Sequence, residues 1–243
     1  MLSLERMTAV YGQKSDTSSS FDASAICDLG MVRTNNEDAC GFARLGNIIL
    51  NHHSKFCGID AIVAWVADGC GGHDNGEFAS YCLDQSFCSD PSRSLDEIFA
   101  YANNKIVASK KNALSTCSAI KLYGNGRFEI AHVGDSRIYQ INNIGIGLLT
   151  KDHSVNVNNR SFLTNAVGEG PKCRTEKFSG ELNKGDYVLL CSDGLYGLLP
   201  DADIYQSVRY SRNVHDAAER LIRRANDNGG HDNISVVLIK YKQ

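Results

Sequence analysis

Proline is scarce in this chain of 243 residues: there are three, all isolated, and no segment after Phe21 has the composition of a linker. That leaves no obvious break between domains. Close cysteine pairs are missing too, because none of the nine cysteines forms a Cys-x-x-Cys motif. An odd count without close pairs argues against a disulfide scaffold and against a structural zinc site. The expectation is nine reduced thiols, mostly small core residues, in a cytosolic protein. Charge of one sign is absent as well. The 25 basic and 28 acidic residues leave a net charge of −3, with no long basic run, so nothing points to nucleic acid. Apolar runs such as 61–67 are far too short to span a bilayer. The opening residues, MLSLERMTAVYG, lack a basic start followed by an apolar core, so no secretion signal and no membrane partner are expected.

What is present suits one large domain, since 42% of the residues are hydrophobic. Residues 13–20, QKSDTSSS, are small and polar, so residues 1–20 are expected to form a flexible tail and 21–243 a single domain. The run AIVAWVA at 61–67 reads as a strand buried on both faces. Residues 118–123 and 127–133 flank Gly124-Asn125-Gly126, a hairpin signal. Residues 137–141, 187–191 and 234–241 are further β-type runs. Ser94 and Glu97 form a capping box ahead of Leu95, Ile98, Phe99, Ala102 and Ile106, so the spacing predicts a helix over 94–110. A second helix is expected over 77–87, with Phe78, Tyr81 and Cys82 on one side. A third follows Asn213 and stops at Gly229-Gly230. Strands come in hairpins and helices in a block between them, which argues for antiparallel sheets with helices packed outside, an α+β architecture.

The stretch VADGCGGHDNGEFAS at 66–80 carries the functional question, because an apolar strand ends in Asp68 and four glycines follow within eight residues. A Walker-type phosphate loop needs Gly-Lys-Ser/Thr, and this loop has His73, Asp74 and Asn75 instead. A tight structural turn remains open, since Asp beside Gly is ordinary turn chemistry. The same setting recurs, however. Asp193 and Asp135 also end apolar strands, Asp232 begins one, and Glu37 and Asp38 stand side by side after Arg33. If the sheets bring these acids together, cations must offset their repulsion. Carboxylates and backbone carbonyls are hard oxygen donors that suit magnesium or manganese rather than zinc.

Taken together, GMVRTNNEDA at 30–39, VADGCGGHDNGEFAS at 66–80, AHVGDSRIY at 131–139, LLTKDHS at 148–154, LTNAVG at 163–168, GDYVLLCSDGL at 185–195 and HDNISVV at 231–237 stand in the order of one family. The chain resembles the type 2C protein phosphatases, the metal-dependent PPM serine/threonine phosphatases, in their compact bacterial form. That resemblance implies a four-layer α-β-β-α sandwich, two antiparallel β-sheets flanked by helices. It implies hydrolysis of phosphoserine and phosphothreonine on proteins, reversing a Ser/Thr kinase, by water activated by two Mn2+ or Mg2+ ions, with a weaker third ion in some members. It assigns Asp68 as the bridging ligand, Asp193 and Asp232 to one ion, and Glu37 with the carbonyl of Gly69 to the other. Asp38 is implied to orient water, Arg33 to hold the phosphate, and Asp135 with Asp193 to form the third site. His73 is the nearest candidate for protonating the leaving group, or else a hydrogen-bonding residue of the loop. A cytoplasmic monomer is implied, with phosphoproteins as partners.

The chain departs from that pattern in three places. Ser115-Thr116-Cys117 stands where Gly-Thr-Thr is usual before the central strand, a change expected to affect packing more than chemistry. Cys70 stands where methionine is usual, either as a volume-similar replacement or as a redox-sensitive thiol. Between Ser154 and Leu163 only VNVNNRSF remains, so the flap over the site is expected to be short or rebuilt. Two other functions stay in view: a catalytically weak adaptor that binds phosphoproteins, and a hydrolase for small phosphorylated metabolites.

Overall fold

The computed structural model describes residues 9–11, 20–45, 61–70, 75–158 and 160–243. Thirteen strands and five helices follow one another in these segments. They are β1 (Ala9–Tyr11), β2 (Phe21–Asp28), β3 (Asp38–Arg44), β4 (Ala61–Asp68), α1 (Gly76–Ser89), α2 (Leu95–Ser109), β5 (Cys117–Tyr123), β6 (Arg127–Val133) and β7 (Arg137–Ile141). There follow β8 (Ile146–Leu148), β9 (Ser154–Val157), β10 (Arg160–Leu163), β11 (Glu176–Glu181), β12 (Tyr187–Cys191), α3 (Asp193–Tyr196), α4 (Asp201–Arg209), α5 (Val214–Asp227) and β13 (Ile234–Tyr241). One sheet runs β1-β2-β13-β12-β7-β8 and the other β11-β6-β5-β4-β3, with antiparallel pairing throughout. Of the residues expected as a tail, Ala9–Tyr11 pairs with β2 as an edge strand, and 1–8 and 12–19 lie outside the described residues.

Strand alternation explains the layering. On β4, Ile62, Ala64 and Val66 join a core between the two sheets, while Val63, Trp65 and Ala67 join a second core under α1 and α2. On β13, Val237, Ile239 and Tyr241 face the first core, and Ile234, Val236 and Leu238 face a third core under α3, α4 and α5. A strand with helices on one side and a sheet on the other must be apolar at every position, which is why 61–67 shows no period of two. Each large side chain buried this way contributes about 1.5–3 kcal/mol. The architecture is the four-layer α-β-β-α sandwich. No helix of the described residues is long and apolar enough to cross a membrane.

The helices follow their local signals. Ser94 accepts from the Glu97 backbone while the Glu97 side chain accepts from the Ser94 backbone, the reciprocal capping box. Asn213 caps α5 by accepting from Asp216 N. On α1 the expectation for Tyr81 was wrong: Ala79, Cys82, Leu83 and Phe87 face the core and Tyr81 points outward. The stripe is set by Phe87, which stacks on Trp65 with ring centroids 4.9 Å apart. The short flap is a two-stranded hairpin of β9 and β10, Val155 opposite Phe162, with Val155, Val157 and Phe162 largely exposed.

Two segments meet where the sheets' ends must converge. A Cβ placed on Gly194 would lie 2.0 Å from Asn233 O, so α3 is pressed directly against the start of β13. Gly194→Ala is therefore expected to lower the melting temperature by roughly 5–10 °C. Gly145→Ala, with nothing within 4 Å of its Cβ, is expected to leave it within about 2 °C. Equal melting temperatures for the two variants in thermal unfolding would contradict this packing.

Candidate metal centre

The inter-sheet stripe of β4 continues Ile62, Ala64, Val66 into Asp68, and that of β3 places Asp38 on the same face as Cys40 and Phe42. Asp38 and Asp68 are direct cross-strand partners, so both carboxylates enter the space between the sheets at one end. From the other sheet, Asp193 opens α3 straight after β12, and Asp232 precedes the adjacent β13. Asp135 lies in the turn between β6 and β7. The convergence shows in the electrostatics. Burial, then the charges of Asp38, Asp193, Asp135 and Asp232, push the Asp68 carboxyl well above the usual carboxylate range. Asp38 is pushed up to about 7, by burial first, against a hydrogen bond from Ser192 that favours its charged form. Asp135 is pushed up to about 6, by burial and then by Asp193. Burial, then the charge of Asp232, raises Asp193, whose carboxyl hydrogen-bonds to that of Asp68. Glu37 is raised by burial and then by neighbouring Glu77.

Two unit charges 4 Å apart repel by about 4 kcal/mol at the effective dielectric of a protein surface. Several such pairs would exceed the 5–15 kcal/mol by which a domain is stable. The repulsion is offset here in part by Arg33, whose Nη2 donates to Asp232 Oδ2 at 2.7 Å. Among the described residues, no three His, Cys, Asp or Glu side chains already close tightly enough to hold an ion. The donor chemistry nonetheless fits a hard divalent cation, because it is carboxylate and carbonyl oxygen throughout. Gly69 fits as well. A Cβ there would lie 2.4 Å from the Gly76 backbone and 2.7 Å from Glu37 O, so only glycine lets this peptide reach the Glu37 segment.

Polar side chains that the sequence did not reveal hold the acids in place. Ser192 Oγ donates to Asp38 Oδ2 at 2.7 Å and accepts from Ser235 N at 2.9 Å. Asn36 Oδ1 accepts from Asp38 N at 3.0 Å. Asp68 N donates to Thr116 Oγ1 at 3.1 Å, and Ser115 Oγ donates to Asp68 O at 3.0 Å. Asn233 shapes the turn before β13: its Oδ1 accepts from Glu37 N at 2.9 Å, and its Nδ2 donates to Leu29 O and Asn35 O at 3.0 Å each. A serine or asparagine in or beside a strand carries no distinguishing pattern. The only hint was that Ser192 directly precedes Asp193.

His73 lies outside the described residues, as do Gly71, Gly72 and Asp74. His132 and His153 support structure. His132 is buried, pushed down to about 4, and bonded to Ser118 and Lys151 O. His153 grips the turn before Asp135, donating from its backbone N to Gly134 O at 2.7 Å and accepting from Gly134 N at 3.2 Å. Cys70 is pushed up to about 12 by burial and then by Asp68, which keeps it a thiol and a poor nucleophile.

Two antiparallel sheets between helices, with a carboxylate cluster at the open end, define the class: an α-β-β-α hydrolase scaffold built for divalent cations. The sequence matches the Protein phosphatase 2C family over residues 34–238, and the chain belongs to that family. It is similar to the serine/threonine phosphatase stp of Listeria innocua, 28% identical over 88% of this chain and 93% of that protein. It is similar also to protein phosphatase PhpP of Streptococcus pneumoniae, 28% identical over 91% and 98%. The S. agalactiae serine/threonine phosphatase superposes with a TM-score of 0.79 at 26% identity, over 92% of this chain and all of that one. The catalytic domain of Mycobacterium tuberculosis PstP, solved with two manganese ions, superposes at 0.75 and 27% identity, over 92% and 99%.

Raised carboxyl pKa values make a signed prediction for the metal-free protein. The folded state holds protons on Asp38 and Asp135 that the unfolded chain, titrating near 4, has released. Their contribution is therefore present at acid pH and lost as pH rises from about 4 to about 7. In chelator, Asp38→Asn is expected to gain in melting temperature on the parent as pH goes from 5 to 8. A constant difference across that range would show that Asp38 is not raised.

Proposed function

We propose that this chain hydrolyses phosphoserine and phosphothreonine monoesters on proteins at the end of the sandwich where Asp38, Asp68, Asp193 and Asp232 meet. The observation that carries the reading is the single buried carboxyl of Asp68, facing four other acids drawn from both sheets. Such a group is kept only where cations repay its cost. Asp68, Asp193 and Asp232 would hold one Mn2+ or Mg2+ ion, and Asp68, Glu37 and the Gly69 carbonyl the other, with Asp135 and Asp193 available to a third. Bound there, the ions supply Lewis acidity for water and for the phosphoryl oxygens.

The chain's own groups do the rest. Arg33 is the largely exposed cation at the rim, with its side chain 44% exposed. Released from Asp232, its planar fork is free to take two phosphoryl oxygens and hold the ester in line. Asp38, held by Ser192 and by the Asn36 side chain, is placed to orient the attacking water and to take its proton. None of the eight described cysteines is needed as a nucleophile, and no phosphoenzyme forms. His73 is proposed to protonate the leaving alkoxide, as the histidine three positions after Cys70 in the sequence.

The family and its relatives support phosphoproteins as substrates, and we assign these to a Ser/Thr kinase of the same cell. Eight free thiols among the described residues suit a reducing cytoplasm. We propose a monomer, which elution of the purified chain as a dimer would contradict.

Phosphate release from a phosphothreonine peptide in Mn2+ tests the reading. Asp68→Asn is expected to lower turnover by about 10³-fold or more, yet to raise the melting temperature in chelator at neutral pH, because the amide removes the cost of keeping a carboxyl protonated there. Arg33→Ala is expected to raise KM about 10-fold or more for the peptide. Turnover that survives chelator would overturn the reading, and turnover of sugar phosphates in place of phosphopeptides would move it to small metabolites.

A further inference from the structure

Two cysteines from different sheets meet directly behind Asp38. Cys27 lies on β2 and Cys40 on β3, both buried in the core between the sheets. Their sulfurs point at each other's strand. Cys40 Sγ is 3.5 Å from Ile26 O, and Cys27 Sγ is 3.7 Å from Asp38 O. Each thiol thus donates to a backbone carbonyl on the facing strand, beside the other cysteine. No other function absorbs this pair. Neither sulfur faces the carboxylate cluster as a ligand, and manganese and magnesium are poor matches for sulfur.

The two thiols differ in their surroundings. Cys27 Sγ takes hydrogen bonds from Asn36 Nδ2 at 3.2 Å and Ser235 Oγ at 3.1 Å. Donors gathered on one sulfur favour electron density there and make it the attacking atom. Cys40 takes no such bonds among the contacts described, and its thiol donates to Ile26 O. One sulfur that attacks and one that resolves, on facing strands, is the arrangement of a redox pair.

We propose that Cys27 and Cys40 form a reversible inter-sheet disulfide when the protein meets a hydroperoxide, and that this disulfide lowers turnover by displacing Asp38. In the first step Cys27 sulfur attacks the outer oxygen of hydrogen peroxide. The O–O bond breaks, the thiol proton leaves with the departing hydroxide as water, and Cys27 becomes a sulfenic acid. In the second step Cys40 sulfur attacks that sulfur. The S–OH bond breaks, the Cys40 proton goes to the leaving hydroxide, and a second water forms. Two thiols are oxidised by two electrons and one peroxide is reduced to two waters. A cellular dithiol reverses the bond by exchange.

The link to the site is short. Asn36 donates to Cys27 with its amide nitrogen and accepts from Asp38 N with its amide oxygen. Ser235 donates to Cys27 with its hydroxyl, and its backbone N donates to the Ser192 hydroxyl that holds Asp38 Oδ2. Drawing the two sulfurs together to about 2.05 Å moves the atom on which both supports rest. Loss of such a support costs about 10- to 100-fold in activity at metal sites. The effect on turnover rests on the phosphatase reading; the disulfide does not.

The test treats the manganese-loaded protein with hydrogen peroxide, alongside Cys40→Ser and Cys70→Ser. Peptide mass spectrometry reads the bond and phosphopeptide hydrolysis reads turnover. The parent and Cys70→Ser are expected to yield a cross-linked Cys27–Cys40 peptide 2 Da lighter than the two thiols. Both should lose turnover about 10-fold or more and regain it with dithiothreitol. Cys40→Ser should give no cross-link and keep most of its turnover. Absence of the cross-link once exposed thiols have reacted would overturn the proposal. So would a full cross-link with turnover unchanged, or an equal loss in Cys40→Ser. A protein with no turnover before treatment would count against the phosphatase reading alone, and the peptide mass would still decide the pair.

Discussion

Repulsion between buried carboxylates is the constraint on which this structure turns. Asp38, Asp68, Asp193 and Asp232 are brought to one end of a sandwich whose interior is otherwise apolar, and Asp135 stands beside them. Folding alone gives no reason to assemble them, since burial raises the cost of each charge and neighbours raise it further. The fold does so by strand geometry. An inward stripe that is apolar along β4 simply ends in Asp68, and its cross-strand partner at that level is Asp38. The opposite sheet adds Asp193 and Asp232 from neighbouring strands. Cations are the one class of partner that makes four such ends stable together at neutral pH.

Holding the acids in place falls to uncharged groups. Asn233 ties the Glu37 segment to the start of β13 with three hydrogen bonds. Ser192 and Asn36 fix Asp38, and Ser115 and Thr116 fix the backbone of Asp68. Gly69 and Gly194 allow backbone contacts that any side chain would block. These supports carry no net charge, so they add no repulsion to the cluster. Two of them also rest on the sulfur of Cys27, and that is how a thiol pair in the core comes to bear on the site.

The parts legible in the sequence were those set by local rules or by recurring chemistry. The runs at 187–191 and 234–241 coincide with β12 and β13, and the Ser94 capping box is formed as expected. Asp68 was legible because an apolar strand ended abruptly in an acid beside glycine. β2 and β3 were not singled out, since FDASAICD and DACGFAR mix small and polar residues, and sheet pairing rather than propensity makes them strands. Tyr81 was misplaced because the helix turns its Leu83 and Phe87 side toward Trp65. The serines behind Asp38 were invisible because their role depends on contacts between residues more than 40 positions apart.

Calorimetric titration of Mn2+ into the metal-free protein at pH 7.5, in two buffers of different ionisation heat, tests the carboxylate cluster most directly. The account predicts about two bound ions and net proton release, because protons that Asp38 and Asp68 hold must leave as the ions enter. Absence of binding, or binding without proton release that survives Asp68→Asn, would contradict it.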